Sequence, residues 1–156
     1  MNSGNVKRLH FRARGVDSLR LLLGSHGHLA SGMATAIEIL AGPQTSLTVL
    51  DAYVDGRNID EELKAYFALV PEGETVVMLS DLYGGSVNQK MYLYLDRPHT
   101  FLIAGVNLAL VLELCMQEDV TLNSLRALTE QSRQMQRVVL YDQDEGVPAG
   151  DEGEFF

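Results

Sequence analysis

The chain has 156 residues, enough for one α/β domain with a sizeable core and too few for two ordinary domains. Its 12 basic and 21 acidic residues give a formal charge of -9, which argues against a nucleic-acid binder because phosphates would be repelled over most of the surface. The one cysteine, Cys115, forbids an intrachain disulfide. Set in the apolar run Leu110 to Met116, it reads as a buried, inert thiol. No apolar run approaches the ~20 residues of a spanning helix, and no signal-like core opens the chain, so a cytoplasmic protein is expected.

Residues 1–17 carry Lys7, Arg8, Arg12 and Arg14 without periodicity and read as a flexible arm. Leu19 to Leu23 reads as a buried strand, followed by a turn, Gly24-Ser25-His26-Gly27. Helical spacing of Leu29, Met33, Ala36, Ile37 and Leu40 predicts a helix over 29–40, stopped by Gly42-Pro43. Ser46 to Leu50 is the second strand. Asn58 or Asp60 caps a helix through Val70, with Leu63, Tyr66, Phe67 and Val70 on one face. Thr75 to Ser80 is the third strand and runs into Asp81 and Gly84-Gly85-Ser86. Ser86 or Asn88 opens a helix to about residue 95, and Thr100 to Ala104 is the fourth strand. Asn107 starts an almost wholly apolar helix through Met116, a candidate for burial against another subunit. A helix over Leu122 to Met135 and a fifth strand over Arg137 to Tyr141 follow, and residues 142–156 form an acidic tail expected to be disordered. The alternation predicts an α/β fold, a three-layer, doubly wound open sheet over residues 18–141.

Strands one, three and four of a parallel sheet bring their following loops to one edge, where open α/β sheets bind ligands. Those loops carry His26, then Asp81 and Ser86, then Asn107. Read singly, each has a plainer explanation: His26 and Asp81 as caps, Gly84-Gly85 as a turn, Asn107 as a helix cap. Read together they suggest a His26–Asp81 pair. A carboxylate that takes the Nδ1 proton leaves Nε2 as a nucleophile, and Asp81 would stabilise the cation formed when Nε2 attacks phosphorus. Ser86, with amides around Gly27, Gly84 and Gly85, would hold the phosphoryl oxygens, and Asn107 stands at the third loop. His28 lies two residues from His26, but with no cysteine or carboxylate at ligand spacing it is a weak metal signal. No metal or cofactor is expected. An aspartate-phosphorylated receiver would need an acidic cluster where Ser25-His26 stands, and no Gly-x-Ser-x-Gly elbow of an α/β-hydrolase is present.

Gly24-Ser25-His26-Gly27 with Leu29-Ala30-Ser31-Gly32, Asp81-Leu82-Tyr83-Gly84-Gly85-Ser86-Val87-Asn88 and Ala104-Gly105-Val106-Asn107-Leu108 together resemble the IIA domain of the mannose (mannose/fructose/sorbose) family of the bacterial sugar phosphotransferase system. The resemblance implies a phosphotransferase: His26 would accept phosphate from the phosphocarrier HPr and pass it to a IIB component. The membrane permease of IIC and IID would be reached only indirectly. Asp81 matches the aspartate bonded to that histidine and Ser86 the active-site serine. It also implies a mostly parallel sheet and a homodimer in which a C-terminal antiparallel strand, here Arg137 to Tyr141, crosses to the partner. The family often has proline where Val87 and Ala109 stand. Two other readings share the fold and histidine: a regulatory phospho-sensing module and the phosphoryl-donor subunit of a dihydroxyacetone kinase.

Overall fold

The structure is a computed structural model and describes residues 18–141, so the readings made for the arm at 1–17 and the tail at 142–156 lie outside the described residues. In chain order the elements are β1 (Leu19–His26), α1 (Leu29–Ala41), β2 (Leu47–Ala52), α2 (Ile59–Ala68), β3 (Thr75–Ser80), α3 (Ser86–Tyr92), β4 (Thr100–Ala104), α4 (Leu108–Cys115) and α5 (Leu122–Gln134). The four strands form one parallel sheet in the order β2-β1-β3-β4. Strands buried on both faces need continuous apolar runs, and Leu21, Leu22 and Leu23 are all essentially inaccessible to solvent.

Side chains alternate across a strand, so the same runs feed two cores. Leu19, Leu21 and Leu23 of β1 join Val77 and Leu79 of β3 against α1, α4 and α5. Leu22 joins Val76 and Met78 against α2 and α3. The sheet is thus covered on both faces, as the three-layer reading requires. Among the described residues no helix is long and apolar enough to cross a membrane.

Several sequence expectations are refined. First, Gly24 to Gly27 is not a turn from its first residue: β1 runs on through His26, pairing Gly24 with Leu50 and with Ser80, and His26 with Ala52. Gly24 is there for close approach. A Cβ at that position would lie 2.4 Å from Met91 Cε and 3.1 Å from Val87 Cγ1 of α3. Both side chains are fully buried, so a larger residue must displace the Met91 methyl within the core and press on the stiffer, β-branched Val87. Gly24→Val is expected to cost about 3 kcal/mol of stability, the upper part of the usual overpacking range, and a urea midpoint equal to wild type would contradict it.

Second, one face of α4 is taken by the chain's own core. Leu110, Val111 and Leu114 are buried in the chain's own core beside α1 and α5. Third, residues 137–140 form no strand in the isolated chain; Val138, Val139 and Leu140 stand exposed after α5. A strand exists only beside a neighbouring strand, and among the described residues the sheet holds β1 to β4. The helix opened at Ser86 also ends early, at Tyr92, and its chain continues in turns.

Cys115 is partly buried against the α1-side core, and burial pushes its thiol up to about 11, so it is protonated and unreactive at neutral pH.

Candidate functional site

Strand order reverses around β1 and β3, because β1 connects outward to β2 on one side and β3 to β4 on the other. The crevice beyond the carboxyl ends of such a strand pair is where doubly wound sheets bind ligands. His26 ends β1 and Asp81 follows β3. Alternation fixes where His26 points. Leu22 and Gly24 face the α2 and α3 layer, and His26, two further on, faces the same way, towards the start of α3.

That placement joins four side chains. His26 Nδ1 lies 2.8 Å from Asp81 Oδ2, and the same oxygen accepts the His26 backbone N–H at 2.9 Å. Asp81 Oδ1 accepts the Leu82 N–H at 2.9 Å. Burial alone would raise the Asp81 carboxyl, but the His26 amide and ring, with the Leu82 amide, outweigh it and hold the group below its ordinary value. An ionised carboxylate only accepts, so Nδ1 carries a proton, and in the neutral tautomer Nε2 keeps the free lone pair. Nε2 lies 3.0 Å from Ser86 Oγ, which also accepts the Tyr53 hydroxyl at 2.9 Å. The imidazole is 42% exposed and the Asp81 side chain 12%, so the carboxylate is shielded while the ring is open to solvent. Gly85 lets the loop close over the ring: a Cβ there would sit 3.4 Å from His26 Cε1 and 3.2 Å from the Leu82 carbonyl oxygen.

The glycine amides assigned from sequence to the phosphoryl oxygens are bonded inside the chain. The Gly27 N–H donates to Ala52 O at 2.9 Å, that of Gly84 to Asn88 Oδ1 at 3.1 Å and that of Gly85 to Leu82 O at 3.1 Å. Asn107 is likewise engaged elsewhere: its Oδ1 accepts the Leu110 N–H at 2.9 Å, capping α4, and its Nδ2 donates to Ser132 O at 2.9 Å on α5. It holds two helices together. The three helix starts at this edge also differ. Ser25 Oγ and Asp51 Oδ1 accept the Ala30 and Ser31 amides of α1, and Asn107 caps α4, whereas α3 begins behind Gly85 with no side-chain cap.

The family model described as the PTS system fructose IIA component, EIIA-man, matches residues 20–132, more than two thirds of the chain. The chain belongs to this IIA family. A curated relative, the mannose-specific EIIAB component of Escherichia coli K12, is 30% identical over 106 residues, covering 65% of this chain and 32% of that protein. The IIA chain therefore spans about a third of the length of the curated relatives it matches. A solved Klebsiella pneumoniae protein described as a sugar phosphotransferase permease has a TM-score of 0.73 at 25% identity over 82% of this chain and 95% of its own. The mannose/sorbose-specific IIA subunit of Enterococcus faecalis shares the fold, with a TM-score of 0.71 at 21% identity over 80% of this chain and 96% of its own.

Two features of this IIA chain escaped the sequence reading. Ending β2 at Leu50 left Tyr53 in an unread loop, although β2 runs to Ala52 and delivers Tyr53 to the same edge. Its tyrosine hydroxyl, just past a strand that reaches the His26 edge, was the available signal. His28 is paired: its Nδ1 lies 2.9 Å from Asp51 Oδ2, which also accepts the Ser31 hydroxyl at 2.6 Å. Among the described residues no cluster of three or more potential metal ligands surrounds it.

The carboxylates also set an acid limit. The Arg20 guanidinium holds Glu74 below its ordinary 4.5, and Asp81 sits below its ordinary 3.8. Both pKa values are lower folded than unfolded, so the unfolded chain binds more protons in acid and the stabilisation present above those values is lost as pH falls through them. The urea midpoint is expected to drop steadily from about pH 4.5 downwards, and Glu74→Gln to flatten the upper part of that drop. A midpoint independent of pH over that range would contradict it.

Proposed function

We propose that this protein is a phosphohistidine carrier that takes a phosphoryl group from phospho-HPr on His26 Nε2 and donates it to a IIB component. The observation that carries the reading is the His26 ring itself: partly exposed, with Nδ1 on Asp81 at 2.8 Å and Nε2 on a rotatable hydroxyl at 3.0 Å. In the transfer, the Nε2 lone pair attacks phosphorus in line. The nitrogen–phosphorus bond of the donor breaks, and its electron pair returns to the donor's ring nitrogen. No proton leaves His26, because the attacking nitrogen carries none. The positive charge that develops on the ring faces Asp81, whose carboxylate is already ionised. Ser86 turns its O–H from Nε2 to a phosphoryl oxygen, beside the uncapped first turn of α3.

A protein donor suits the surroundings. Leu82 and Tyr83 are large, exposed and adjacent to the site, the kind of apolar surface that seats another protein. The same reading places the protein in the cytoplasm, couples it through IIB to the IIC and IID permease, and gives residues 137–141 to a homodimer partner's sheet. It is tested by intact-mass spectrometry after incubation with phosphoenolpyruvate, enzyme I and HPr under conditions that preserve acid-labile phosphate. One phosphate adduct that disappears on adding a IIB component is the expected result; no adduct would remove the carrier reading.

A further inference from the structure

We propose that Tyr53 is a positioning residue for phosphoryl transfer, acting through Ser86: its hydroxyl anchors Ser86 Oγ so that the serine proton can change acceptor, from Nε2 to a phosphoryl oxygen, without the oxygen moving. The inference rests on the phosphohistidine reading above and goes beyond it by assigning a role to a side chain on β2's exit.

In the neutral ring, the form able to attack phosphorus, the direction of every proton follows from Asp81. The carboxylate only accepts, so Nδ1 donates and Nε2 is a bare lone pair. A serine hydroxyl has one proton, and at 3.0 Å from Nε2 that proton lies on the nitrogen side. Ser86 Oγ therefore meets Tyr53 with a lone pair, and the phenol must donate across the 2.9 Å contact. The result is a single file of protons, Tyr53 to Ser86, Ser86 to His26, His26 to Asp81, each bond polarising the next.

The backbone holds Tyr53 in place at some cost. Its φ of 65° lies in the left-handed region that a bulky residue adopts rarely, and such strain persists only where the surroundings enforce it. The turn carries the ring back over the site, 5.5 Å between centroids from the His26 imidazole at an interplanar angle of 34°. A phenylalanine would preserve that ring contact and lose only the donor. The hydroxyl matters most when the Nε2 lone pair is consumed by the new bond to phosphorus. Ser86 then loses its acceptor, and without Tyr53 nothing else observed fixes Oγ beside the arriving oxygens.

The test is a double-mutant cycle with Tyr53→Phe and Ser86→Ala. Tyr53→Phe is expected to lower kcat for uptake from phospho-HPr about five-fold, the scale of one hydrogen bond, with KM for phospho-HPr unchanged. In the Ser86→Ala background the same change is expected to add nothing. Additive effects, an unaltered kcat, or a change confined to KM would each overturn the proposal, since they assign Tyr53 to docking or to no role. A second readout needs no donor protein: the 15N resonance of His26 Nε2 in the free protein is expected to shift towards that of an unbonded ring nitrogen in Tyr53→Phe. An unshifted resonance overturns the anchoring role. If the wild-type protein takes up no phosphate, the carrier reading fails, and this resonance still decides whether Tyr53 controls the Ser86–His26 bond.

Discussion

His26→Ala is expected to abolish phosphate uptake completely, with no adduct at any exposure to phospho-HPr that fully labels the wild type. The reason is chemical rather than steric. Among the described residues, the His26 ring is the one held with a carboxylate at Nδ1 and a hydroxyl at Nε2, through Asp81 and Ser86. The Ser86 and Tyr53 hydroxyls are weak nucleophiles without a base, and the base that could serve Ser86 is the ring being removed. Fold is not at stake, because the His26 side chain is 42% exposed and its strand is held by backbone pairing to β2. Intact mass and a urea titration on the same sample check both halves. A variant that still gains one phosphate would move the acceptor elsewhere, and His28, whose ring also rests on a carboxylate, would be the first alternative to map.

The second large effect is expected at Asp81. Its carboxylate receives three donors: the His26 amide and Nδ1–H on Oδ2, and the Leu82 amide on Oδ1. Asparagine offers one acceptor atom. With its oxygen towards His26, its amino group confronts the Leu82 N–H, and the ring keeps its tautomer but loses the negative charge behind it. With its oxygen towards Leu82, the amino group confronts the His26 amide and forces Nδ1 to accept, which moves the ring proton to Nε2 and blocks the nucleophile. Either way the developing cation is unsupported. Asp81→Asn should therefore slow uptake by about 100-fold, the loss typical of one preorganised electrostatic group. Single-turnover rates measure the loss, and nitrogen shifts of His26 tell which orientation the amide takes. An unchanged rate would remove Asp81 from the mechanism.

Much of this was legible in the sequence because it depended on local chemistry. Apolar runs at Leu19 to Leu23, Thr75 to Ser80 and Thr100 to Ala104 specify strands, and the loops that follow them carry the polar residues. His26, Asp81 and Ser86 could be paired on paper because parallel strands share an edge, and the structure brings all three into contact. What escaped depended on neighbours. Gly24 reads as a turn signal in one dimension, and only the depth of Met91 and Val87 shows it to be a contact point. Asn107 reads as a site residue by its position at the edge, but whether its amide faces a ligand or two helices is decided by where α5 packs. The glycine amides raise the same issue: Gly27, Gly84 and Gly85 stand where expected, while their N–H groups are claimed by Ala52, Asn88 and Leu82. Tyr53 depended on how far β2 extends, a length set by its pairing with β1 out to Ala52.

The contact between Gly24 and the underside of α3 couples two properties that are usually inherited separately. Gly24 stands two residues before His26, and Val87 and Met91 stand one and five residues after Ser86, so the separation of His26 and Ser86 is gauged by the packing beneath them. Drift at position 24, 87 or 91 is then screened twice over, once for whether the chain folds and once for whether its chemistry is in register. A lineage exploring new partners would be free to vary Leu82 and Tyr83 on the rim, while the spacing of the reacting atoms stayed locked to the volume of the interior.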